Sequence, residues 1–326
     1  MADQRKTTAD VSSGQSAPCP VSSGKPPRAL QELNLIDDFL FQEMLASQET
    51  GEKFARLLLG TFLGKPVRNV RIISQKTIPG IDTAARGIRL DAYIEAVPDE
   101  PVPGQEMYDV TIRPDLYDIE PDRTYERSSL PRRMRYYHAL IDTRILSVST
   151  DYQSLQNVTI FIILPYDPFG KKRMVYTVKN RCLEDDRIPY EDGTTKIFFY
   201  TKGTEGNPGQ ELCDMLKYIE HSTTDNVTNQ TIDELDRLVS TVKQSREAGI
   251  NYMKSWEHEK IIRDEERRIG IEQGTRFGIE QGIRAFISFC QELSFPRSEA
   301  AERLADKFDL STEKAAEYLE LFWPLS

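Results

Sequence analysis

Asp91 lies inside IRLDAYIEA and Glu120 inside YDIEPD, two runs whose β-branched and aromatic residues predict strands. A carboxylate set between Leu90 and Ala92 needs a partner or an ion if it faces a core, because an unpaired buried charge is strongly disfavoured. Carboxylates on neighbouring strands are hard oxygen donors that suit magnesium or manganese (Mg2+ or Mn2+), and such a cation activates water and neutralises charge on a phosphate. The chemistry these residues would support is phosphodiester hydrolysis. A strand also has a solvent face, and the same carboxylates pointing outward would carry no chemistry.

The elements that must position them follow from the pattern on either side. LNLIDDFLFQEML places Ile36, Leu40 and Met44 on one helical face, with Asp37 supporting the helix start. GEKFARLLLGTFLG predicts a second helix, stopped by Gly64 and Pro66. VRNVRIISQKTI and GIRLDAYIEAV are expected strands. The next strand is open between MYDVTIRP and LYDIEPDR. The second is preferred because it keeps a carboxylate, Glu120 where the first has Thr111, and stands next to the helix expected over LPRRMRYYHALIDTRIL. NVTIFIILPYDPFG predicts a buried strand ended by a tight turn at Pro168 and Gly170, and RMVYTVK and TKIFFYTKG two shorter strands. Beyond Asn207 the pattern is helical, with GIEQGTRF and GIEQGIRA repeating every eight residues and read as a tether. The last helices break near Asp309, with Ser311 or Thr312 as cap.

Bulk properties limit the function classes. No stretch approaches the ~20 apolar residues of a membrane helix, so no membrane partner is expected. Cys19, Cys182, Cys213 and Cys290 are scattered and without nearby histidines, which argues against zinc and for a reducing cytoplasm. His138, His221 and His258 are isolated and expected to be satisfied surface or core residues. A formal charge of −10 excludes a generally basic nucleic-acid surface and demands a local patch. The segment Arg123–Arg144 supplies one, with six arginines against Glu126 and Asp142, a local net of +4. Arginine forks grip phosphates, which makes Arg132, Arg133 and Arg135 the candidate DNA contacts. Tyr136 and Tyr137 beside them are more simply explained as half-buried helix residues. From Arg297 to Glu320 seven acidic residues oppose four basic ones, so protein contact is expected there instead of DNA reading.

The succession LIDDFLF, RLDAY, YDIEPD, LPRRMRYYHALID, FIILPYDPFG and DGTTKIFFYTKG, over roughly Leu33 to Glu220, resembles the recombination-promoting nuclease family of transposase-like proteins. That resemblance implies the PD-(D/E)XK nuclease superfamily: an α/β domain with a mixed sheet flanked by helices, here followed by an extended α-helical C-terminal region. It implies metal binding by Asp91 and Glu120, with an acidic residue of the first helix, Asp38 before Asp37, as a third ligand. Where the superfamily usually has lysine, and this family often glutamine, two residues after the glutamate, this chain has Pro121 and then Asp122, a possible further catalytic carboxylate.

The expected organisation is a disordered tail over 1–28, a nuclease-like domain over 29–222, a helical region with a long charged helix over 223–293 and a small terminal helical module over 294–326. The expected activity is a metal-dependent DNA endonuclease linked to recombination or transposition, forming a homo-oligomer through its C-terminal helices. The rivals are a catalytically degenerate nuclease fold used for DNA binding or assembly, and a helical scaffold residing after Asn207.

Overall fold

In the computed structural model, residues 26, 28–46, 48–79, 87–98, 115–145, 151–185 and 187–323 are described. Most of the expected tail over 1–28 and the run MYDVTIRP lie outside the described residues. The chain divides into two compact units, Met1–Met253 and Lys254–Ser326.

The first unit is built on a mixed six-stranded sheet. Its strands are β1 (Val67–Ile78), β2 (Ile88–Pro98), β3 (Asp115–Pro121), β4 (Val158–Leu164), β5 (Val175–Val178) and β6 (Thr194–Tyr200), arranged β1-β2-β3-β4-β6-β5. β1, β2 and β3 are antiparallel neighbours; β3, β4 and β6 are parallel, which brings their C-terminal ends to one edge. β4 reads VTIFIIL because both its faces are covered, as parallel strands require. Phe161 and Ile163 pack into one core with α1 (Asp38–Ala46), α2 (Gln48–Leu63), α4 (Gln210–Glu220) and α5 (Gln230–Gln244). Ile160, Ile162 and Leu164 pack into a second core with α3 (Leu130–Ile145). Each large side chain so buried contributes about 1.5–3 kcal/mol of transfer free energy.

α1 starts at Asp38, later than the apolar spacing suggested. Ile36 is buried but precedes the helix, its amide bonding to the Ile219 carbonyl at the end of α4. The first compact unit also runs past residue 222, because Ile232, Leu235, Val239 and Val242 of α5 are buried in its core. His138 differs from expectation too. It is buried in α3, yet neither ring nitrogen completes a hydrogen bond. Burial, with the Lys196 ammonium adding to it, pushes the imidazole down to about 4, against the Thr195 backbone and Asp192.

In the second unit, α6 (Arg246–Glu292, which begins in the first unit) meets α7 (Arg297–Phe308) and α8 (Thr312–Phe322) around Ile283, Ile287, Leu304 and Leu319. Asp309 breaks α7 from α8 in the left-handed conformation, and the Ser311 hydroxyl caps α8 by accepting from the Lys314 amide at 3.3 Å. The glycine repeat is continuous α-helix and not a loose tether. Gly282 lies where a Cβ would sit 3.2 Å from the Phe308 ring, so one repeat glycine is a packing residue, while Gly270, Gly274 and Gly278 face open space. Among the described residues no helix is long and apolar enough to cross a membrane.

Candidate active site

Asp91 and Glu120 meet across the β2–β3 pair. The ladder pairs Tyr93 with Asp118 and Ala92 with Ile119. One step further on, the Asp91 amide donates to the Glu120 carboxylate Oε1 at 2.9 Å. On the other side of β2, the ladder with β1 pairs Ser74 with Ala92 and Lys76 with Leu90, and Gln75 between them is held at φ 52°, a conformation unusual for a side chain with a Cβ. The Gln75 side chain accepts from Arg89.

Asp118 and Glu120, two residues apart on one strand, share a face with the second core. Asp118 is 1% exposed and Glu120 7% exposed. Both oxygens of Asp118 lack a hydrogen-bond donor, and its contact with Glu120 is favourable only when one of the two carries a proton. Burial first, and repulsion from Asp91 second, hold Asp118 well above the usual carboxylate range. Burial also raises Glu120, with repulsion from Asp118 and Asp91 adding to it, against the Asp91 amide and Arg133. Asp91 is pushed up to about 7 by burial and then by Asp38 and Asp122, while Arg89 and Arg133 oppose the shift.

Two residues of α1 complete this cluster. The Gln42 amide Nε2 donates to Asp91 Oδ1 at 2.6 Å, and Asp38, one helical turn earlier at the rim, acts on Asp91 by repulsion. Asp37 is turned away from it. Its carboxylate accepts from Arg28 at 2.9 Å, from Arg123 and from the Asn34 amide at 2.8 Å, which fixes the entry into α1. Of the two first-helix aspartates, Asp38 is therefore the one placed with Asp91.

Asp122, just past β3, forms an ion pair with Arg133 of α3, and its other oxygen accepts from the Thr124 amide at 2.7 Å. Of the three arginines expected to contact DNA, Arg133 is thus engaged at the carboxylate cluster, whereas Arg132 and Arg135 are exposed on α3. Tyr137 is half-buried against the same core, and Tyr136 is more open.

Among the described residues no group of three or more His, Cys, Asp and Glu side chains forms a ready-made metal cage. The donor set is nonetheless of the hard-oxygen kind. Asp91 raises the proton affinity of both Asp118 and Glu120, and is itself raised by Asp38 and Asp122; among the described residues no amide, hydroxyl or guanidinium donates to Asp118, and the nearest guanidinium on α3 is already paired with Asp122. A divalent cation is the chemical species that would relieve this excess.

Asp118 and Gln42 escaped the sequence-based expectation although signals for both were present. YDIE spaces Asp118 and Glu120 on one strand face, and Gln42 stands four residues after Asp38 on one helix face. Comparison of the chain with known proteins finds no matching family model, no matching curated protein and no matching solved structure.

Proposed function

We propose that this chain is a divalent-metal-dependent DNA endonuclease of the PD-(D/E)XK type, working in the cytoplasm on DNA that undergoes recombination or transposition. The observation that carries this reading is the partly buried contact of Asp91 with Glu120 across two strands, beside an Asp118 carboxylate without a donor. Asp91 and Glu120, with Asp38 at the rim, would hold Mg2+ or Mn2+. When bound, the ion would supply water activation and neutralisation of phosphate charge. Gln42 fixes the orientation of Asp91, and the Asp91 amide fixes that of Glu120. Arg133 lowers the proton affinity of both carboxylates and keeps Asp122 on the α3 side of the cluster.

A second reading has its own support. Asp122 stands where the resembled superfamily has lysine, and its pairing with Arg133 leaves that strand position without a free cation. A nuclease fold kept for DNA binding or assembly would look the same. Supercoiled plasmid incubated with magnesium or manganese separates the two readings when wild type is compared with Glu120→Ala. Nicking that requires metal and disappears in the variant supports the nuclease. Intact plasmid with both proteins leaves the binding-only reading.

We also assign self-association to the second unit. Ile261, Ile271, Phe277, Ile279 and Phe289 are large apolar residues exposed along α6, more than a solvated helix ordinarily carries. Ending the chain after Met253 should lower the number of copies per particle measured by light scattering. An unchanged copy number removes the assignment.

A further inference from the structure

The turn leaving β4, Tyr166–Arg173, has no role in the site above, yet it is unusually well built. The Asp167 carboxylate accepts from the amides of Phe169 at 3.1 Å, Gly170 at 2.9 Å and Lys172 at 2.6 Å, and from the Tyr176 hydroxyl at 2.8 Å. That hydroxyl accepts in turn from the amides of Lys171 at 3.2 Å and Arg173 at 3.1 Å. All five consecutive amides from Phe169 to Arg173 are therefore directed inward, and the nearest carboxylate is used up in holding them. From beneath, the Lys172 carbonyl accepts from Thr204 at 2.8 Å and Glu205 at 2.9 Å. Gly203 approaches so closely that an added Cβ would lie 2.6 Å from the Met174 backbone.

What this frame presents outward is Lys171, Lys172 and Arg173, all exposed. Among the described residues none of the three forms a salt bridge. With Gly170 and Glu205 they line an open cleft of about 630 Å³, whose charged side chains leave a local net of +2 in a chain of −10. Lys172 is held at φ 55°, where glycine or asparagine would be far less strained. A lysine kept in a strained conformation at the tip of a rigid turn points to a use for its side chain.

The position of the turn identifies that use. β3 and β4 run parallel, the Asp122 amide bonds to the Ile163 carbonyl at 2.9 Å, and the Tyr125 and Tyr166 rings meet at 4.9 Å. The basic turn and the Glu120 carboxylate thus leave the sheet at the same edge. At ~4.8 Å per strand they are on the order of 10–15 Å apart across the sheet, the span of roughly three or four nucleotides at ~3.4 Å each. We propose that Lys171, Lys172 and Arg173 grip the sugar-phosphate backbone of the DNA a few nucleotides from the bond that reaches Glu120. This inference rests on the nuclease reading and adds to it the surface that retains the strand.

The test uses the full chain, a short labelled duplex and fluorescence anisotropy over a series of salt concentrations without divalent metal. Exchanging Lys171 for Gln, Lys172 for Asn and Arg173 for Gln together should weaken binding at least about tenfold. It should also reduce the slope of log K against log salt by about two to three, close to one per lost phosphate contact. Lys172→Gly alone relieves the backbone strain, so it should raise the melting temperature while weakening binding, which separates loss of contact from loss of fold. Equal slopes for parent and triple variant overturn the grip while leaving the plasmid assay to judge the nuclease. A parent that neither binds nor nicks DNA overturns both. Full displacement of the duplex by millimolar inorganic phosphate would assign the turn to a small anion and overturn the backbone grip.

Discussion

The Asp91→Asn protein is expected to be more stable than wild type at about pH 7.5 and to nick plasmid at least about 100-fold more slowly, the scale on which loss of one preorganised electrostatic group acts. The stability gain follows from the direction of the Asp91 shift. Its ordinary value is 3.8, and in the folded chain it stands at about 7. Below the lower value both states carry the proton and nothing is gained or lost. Between the two, the unfolded chain has released a proton that the folded chain still holds, so stability falls as pH rises, and above about 7 the full penalty remains. Three pH units correspond to at most about 4 kcal/mol, and since Asp91 is only partly buried we expect about 2 kcal/mol. Asparagine removes the charge, relieves Asp118 and Glu120 of its repulsion, and can still accept from Gln42. His138 acts in the opposite direction. Held at about 4 against an ordinary 6.5, it removes stability as pH falls through that interval, and it is common to both proteins. Urea unfolding at about pH 5 and 7.5 isolates the Asp91 contribution as the difference between wild type and variant. Identical pH dependence in the two proteins would refute the buried repulsion, and nicking within tenfold of wild type would remove Asp91 from the site.

The largest loss of stability should come from Arg133→Met. Asp122 is nearly buried, and its partner reaches it from α3, eleven residues away in sequence. Removing the guanidinium leaves the Asp122 charge with only the Thr124 amide, and takes from Asp91 and Glu120 the cation on α3 that opposes their shifts. Breaking a buried pair from one side costs about 3–5 kcal/mol. Arg133 retains some exposure, so about 2–4 kcal/mol is expected here. Adding Asp122→Asn to the same chain should recover most of this, because the unpaired charge and not the missing contact carries the cost. A urea-unfolding double-mutant cycle measures the coupling. A single-variant loss below about 0.5 kcal/mol would mean that the pair is solvated and that Arg133 has little hold on the cluster.

Much of the fold was legible because its periods are strong. The apolar run of β4 fits a strand covered on both faces, and Gly64, Asp309 and Ser311 mark helix ends through the backbone geometry and capping they provide. The start of α1 was not legible, because Ile36 fits the helical spacing although tertiary contact with α4 draws it out of the helix. Asp91, Asp38 and Glu120 could be singled out from strand and helix context. Asp118 shares the strand face of Glu120 in YDIE, but its burial comes from the covering of that sheet face by α3, which strand spacing does not supply. The separate destinations of Arg132, Arg133 and Arg135 also depend on the rotation of α3, which a count of charges cannot supply. Gln42 and the Asp122–Arg133 pair are long-range contacts that sequence spacing alone does not encode.

The hydrogen bond that the Asp91 amide donates to Glu120 Oε1, together with the one that Gln42 donates to Asp91 Oδ1, leaves each of these carboxylates at most one uncommitted oxygen. A hard divalent cation takes about six oxygens, so Asp91 and Glu120 would supply only a minor part of what would hold it. An ion held there would stay largely hydrated and would exchange readily with the surrounding solution. Its occupancy would follow the ambient concentration of the divalent cation.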